Sequence, residues 1–151
     1  MAGFSFEADK ALGKKLAEMD KQELCLFVSD LCRAVIYEVG NRGRRGGIYP
    51  ENICVGPAGE IALGPVGSSP WQGQELNFIA PELYWNGQLS AASDVYSVGL
   101  LMYYAVSGGK LPLEGECADP QTRRMAGGNP RAPKNAGRRC EKTIIRSAAT
   151  R

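Results

Sequence analysis

The chain has 151 residues, 44% of them hydrophobic and 23% charged, which is the length and make-up of one ordinary globular domain. Histidine is absent, which removes the commonest general base and metal ligand, and with them hydrolases built on a serine–histidine or cysteine–histidine pair. The net charge of +2 conceals a division: residues 1–116 hold nine lysines and arginines against fourteen acids, a net of −5, and residues 117–151 hold nine against two, a net of +7.

Residues 4–19 predict a short helix. Asp20-Lys21-Gln22-Glu23 then has the capping-box pattern, in which Asp20 accepts from an early backbone N–H and Glu23 reaches back. In the helix that follows, Leu24, Phe27, Val28, Leu31, Val35 and Val39 recur at helical spacing as one apolar stripe, and Gly40 is the expected stop. Residues 41–47 are a loop. Its Arg42-Gly43-Arg44-Arg45 run reads either as a site for phosphate or an acidic peptide, or as a solvated loop. Ile53-Cys54-Val55 and Ile61-Ala62-Leu63, separated by Gly56-Pro57-Ala58-Gly59, predict a small β-hairpin. The Gly, Ser, Pro and Gln content of residues 64–77 predicts a loop.

Residues 90–106 give the clearest helix, with Ser90 able to cap it and Gly108 able to end it. Val95, Val98, Leu100, Leu101, Met102, Tyr103, Ala105 and Val106 point around most of its circumference, which predicts burial on nearly all sides. Its length suits a core helix rather than a membrane span. Asp119 and Pro120 open a further helix to residue 126, residues 127–137 form a loop, and residues 138–149 a last basic helix. The chain ends inside that helix, which suggests a truncated fragment. With no signal peptide and no membrane-length apolar run, the expected location is cytoplasmic, away from any membrane. The odd set Cys25, Cys32, Cys54, Cys117 and Cys140, without a CxxC pair, predicts reduced, mostly buried thiols.

This order of elements resembles the C-terminal lobe of a protein kinase, and local motifs agree. Tyr49-Pro50-Glu51-Asn52-Ile53 resembles the family's KPENI catalytic-loop segment. Gly59-Glu60-Ile61-Ala62-Leu63-Gly64-Pro65-Val66-Gly67 resembles its GxIKLxDFG stretch, and Ala80-Pro81-Glu82 stands as its APE. Ser93-Asp94-Val95-Tyr96-Ser97-Val98-Gly99 resembles SDVWSLG, at the start of the buried helix, and Gly108, Leu111 and Pro112 resemble the TGxxPF ending. The resemblance runs from about residue 20 to about residue 150. It implies an α+β fold, mainly α: one kinase C-lobe-like domain over residues 1–151. Residues 1–20 would be a connector helix, 21–116 the core of the lobe and 117–151 basic C-terminal helices.

The departures bear on function. The base that accepts the substrate proton falls at Gly47, which has no side chain, and the phosphate-contacting lysine falls at Tyr49. The magnesium-binding aspartate falls at Pro65, followed by Val66 in place of phenylalanine. Asn52 remains, but one amide oxygen is a poor site for a hard dication, and a structural role bonding loop backbone suits it better. No Gly-rich phosphate loop and no VAIK lysine precede the lobe, so the N-lobe is absent and the nucleotide pocket lacks its roof. The resemblance implies that Asp94 bonds backbone N–H groups of the catalytic loop and that Glu82 pairs with a late arginine, Arg146 or Arg151.

Three readings follow. The first is a non-catalytic module like the KIND-type domains, without cofactor or metal, docking a peptide, a partner helix or a second copy of itself. A lobe built to sit beneath another lobe has an apolar upper face, and Ile48, Tyr49, Val66, Trp71 and Trp85 are its candidates. The second is a degenerate kinase half that binds nucleotide weakly or needs another chain. The third is polyanion binding through Arg123, Arg124, Arg131, Arg138, Arg139 and Arg146; nucleic acid is the poorer fit, because residues 117–151 lack aromatic stacking groups.

Overall fold

The computed structural model describes residues 12–43, 45–66 and 75–112. The predicted helices over residues 119–126 and 138–149, and the basic arginines from Arg123 onward, lie outside these residues. Within them the chain is mainly helical, with one two-stranded antiparallel sheet, the α+β class expected from sequence.

Helix α1 (Leu12–Glu18) is followed by the long α2 (Lys21–Arg42). The capping box at its start is formed in both directions. The Glu23 N–H donates to Asp20 Oδ1 and the Asp20 N–H to Glu23 Oε2, each at 2.9 Å. Helix α2 runs through Gly40 and ends one turn later than predicted. Gly43 adopts the left-handed conformation (φ 62°), and its N–H donates to the carbonyls of Glu38 and Val39. Glu38 and Arg42, paired at 3.4 Å across the added turn, favour the longer helix by about 0.3–0.5 kcal/mol.

A single 3-10 turn (Pro50–Asn52) leads into β1 (Ile53–Val55), which pairs with β2 (Ile61–Leu63) in the register Ile53–Leu63, Cys54–Ala62 and Val55–Ile61. The hairpin turn closes with the Gly56 N–H donating to the Glu60 carbonyl at 2.8 Å. Two short helices that the sequence reading left out come next: α3 (Glu75–Phe78) and α4 (Pro81–Asn86). The first starts inside the stretch expected to be loop. The second has Pro81 in its first turn and Gly87 left-handed at its C-cap, so it carries the chemistry of both helix ends.

Helix α5 (Ala91–Val106) begins, as predicted, at Ser90. Ser90 and Ser93 cap each other: the Ser93 N–H donates to Ser90 Oγ and the Ser90 N–H to Ser93 Oγ. Helices α1, α2 and α3 all pack against α5. Leu12 and Leu16 of α1, Leu24, Phe27 and Leu31 of α2, and Leu100, Leu101 and Ala105 of α5 make one core with Ile53, Leu63 and Phe78. Phe78 meets Tyr104 edge-on, with ring centroids 5.9 Å apart.

Burial of α5 on nearly all sides does not hold. Its core face is Asp94, Ser97, Leu101 and Ala105, while Val95 and Met102, seven residues apart on the opposite face, are 71% and 43% exposed. Apolar patterning permits burial but does not compel it, because folded surfaces carry much apolar area. Leu101→Ala should therefore destabilise the fold by about 2–5 kcal/mol, and Val95→Ala by no more than about 0.5 kcal/mol, in denaturant unfolding. The thiols differ from expectation in the same way: Cys54 is buried, Cys32 half-buried and Cys25 exposed, all three free.

Candidate functional site

The loop of residues 45–52 is suspended between α5 and the hairpin, and two polar side chains hold it. Asp94, in the first turn of α5, is 5% exposed. Its Oδ1 accepts from the Gly46 N–H at 2.9 Å and its Oδ2 from an Arg45 guanidinium nitrogen at 3.2 Å. A buried carboxylate is retained only where such charge-assisted bonds replace its water. Asn52, buried at the end of the 3-10 turn, donates from Nδ2 to the Gly47 carbonyl at 2.7 Å and to the Pro65 carbonyl at 3.2 Å. One amide thus ties the loop to the segment leaving β2.

Gly46 and Gly47 both have positive φ, 83° and 72°. A Cβ on Gly47 would lie 2.7 Å from Nδ2 of Asn52, and one on Gly46 would lie 2.9 Å from Cδ2 of Leu89. Both positions need glycine for conformation, and Gly47 also for room, since the buried Asn52 amide fills the space where its side chain would project.

The candidate residues do not share one surface. Ile48 is 3% exposed and belongs to the core, directly after the left-handed Gly46 and Gly47. Tyr49 is half-buried against that core and Val66 half-buried beside Gly46, 3.5 Å from the Cβ position there. Trp85 is 52% exposed, its ring edge-on to Tyr84 at 5.1 Å. Trp71 lies outside the described residues, as do Arg44, Arg146 and Arg151. Glu82 sits half-buried in the first turn of α4. Leu89, 41% exposed and packed over Gly46, was missed by the sequence reading. It falls in no motif, and only its place before the Ser90 cap marks it.

Burial, then the charges of Glu75 and Glu51, push the Tyr49 phenol above its ordinary value of 10.0. The fold therefore favours the neutral phenol. That contribution is intact below pH 10 and is lost as pH climbs through the raised value. Tyr49 should ionise late in an alkaline absorbance titration, and Tyr49→Phe should remove that late phase.

Among the described residues no three Cys, Asp or Glu side chains converge as a metal-binding group, and no helix is long and apolar enough to cross a membrane. No protein-family model matches the chain. Curated proteins do show similarity. The serine/threonine-protein kinases Aurora-2 and Aurora-1 of Arabidopsis thaliana are each 27% identical over 97 residues, 60% of this chain and 34% and 33% of theirs. The human receptor-interacting serine/threonine-protein kinase 3 is 33% identical over 83 residues, 46% of this chain and 16% of its own length. The chain thus has weak, partial similarity to protein kinases, and spans about a third of the Aurora relatives it matches.

Proposed function

We propose that this chain is a non-catalytic interaction module on a kinase C-lobe-like frame, comparable to KIND-type domains, and that it docks a peptide or helix of a partner protein. The observation that carries the reading is the state of the loop. At Gly47 and Pro65, where a kinase's proton acceptor and metal-binding carboxylate would fall, there is no acid. The Asn52 amide between them is engaged with both of their carbonyls. Positioning and charge supply nearly all of the catalysis in phosphoryl transfer, so a site without these carboxylates has lost its means.

The surface around the loop supports docking. Leu89 and Val66 flank Gly46 beside the loop; at a separate position on α4, Trp85 is exposed, a residue type enriched among energetic anchors at interfaces.

Two measurements test this. With magnesium and ATP the protein should transfer no phosphate to itself or to generic substrates, and millimolar ATP without metal should leave its thermal midpoint unchanged. Transfer that disappears in Asn52→Ala would overturn the reading, and a metal-free shift would support a nucleotide-binding remnant instead. Peptides selected on the protein from a random display library should bind Trp85→Ala at least about tenfold more weakly, with its thermal midpoint unchanged. Binding untouched by Trp85→Ala, Leu89→Ala and Val66→Ala would remove these residues from the proposal.

A further inference from the structure

We draw no further inference here: the strongest candidate, the groove of about 920 Å³ between α2 and the β1–β2 hairpin, has its walls' charges engaged within the chain as Asp30–Arg33, Glu38–Arg42 and Glu60 with the Ala58 N–H, and nothing in the structure shows what covers the apolar floor formed by Ala34, Ile61 and Leu63.

Discussion

Gly47→Asp is expected to lower the thermal midpoint by about 10 °C and to confer no phosphate transfer, although on the proposed reading it supplies the acid a kinase would have here. Two costs add. A side chain at φ 72° costs about 1–2 kcal/mol in backbone strain. The new Cβ also displaces the Asn52 amide from a 2.7 Å approach, which breaks the bonds to the carbonyls of Gly47 and Pro65 at about 1 kcal/mol each. Gly59→Ala is the control. Gly59 has φ 82° with nothing near its Cβ position, so it incurs the backbone cost alone and should lose about half as much. Thermal unfolding of the two variants, with a radiolabelled ATP assay of the first, checks the prediction. A stable Gly47→Asp protein would show that the loop is free to rearrange.

Asp94→Ala should be the most damaging polar substitution among the described residues, at about 2–4 kcal/mol. It leaves the Gly46 N–H without its acceptor and the Arg45 guanidinium without its counter-charge, at the end of the helix on which α1, α2 and α3 pack. Asp94→Asn keeps an oxygen for the Gly46 N–H and loses only the charge, so it should fall between wild type and alanine. Arg45→Ala removes the half-exposed partner and should cost about 1 kcal/mol or less, since solvent screens that side. Denaturant midpoints for the three variants should rank in that order. Equal losses for Asp94→Asn and Asp94→Ala would place the value in the charge rather than in the backbone bond.

Residues whose partners are near in sequence could be read directly. The Asp20–Glu23 box, the Ser90 cap and the turn over residues 56–59 each involve groups within a few positions of one another, and each formed at the predicted place. The end of α2 was harder. Gly40 and Gly43 offer the same chemistry one turn apart, and the choice rests on which of them turns left-handed. Helix α4 coincides with the Ala80-Pro81-Glu82 motif, and only Pro81 and Gly87 mark its ends in the sequence. Ile48 and Val95 show the remaining limit. An apolar residue after two glycines faces in or out according to their φ angles, and an apolar residue on a helix is buried only if another element arrives on its side. Neither fact is local. The kinase resemblance led to Asn52 and Asp94, but the packing of Leu89 over Gly46 belongs to three-dimensional proximity between distant stretches of chain.

The filled space beside Gly47 also limits which neighbouring sequences can fold. Aspartate is one nucleotide away from glycine in the genetic code, yet the intermediate carrying it would be a poorly folded protein unless position 52 had already changed. Change at position 52 alone would unfasten the loop from the end of β2. Each order of events passes through a weakened form, so selection for folding by itself would disfavour an acid at position 47.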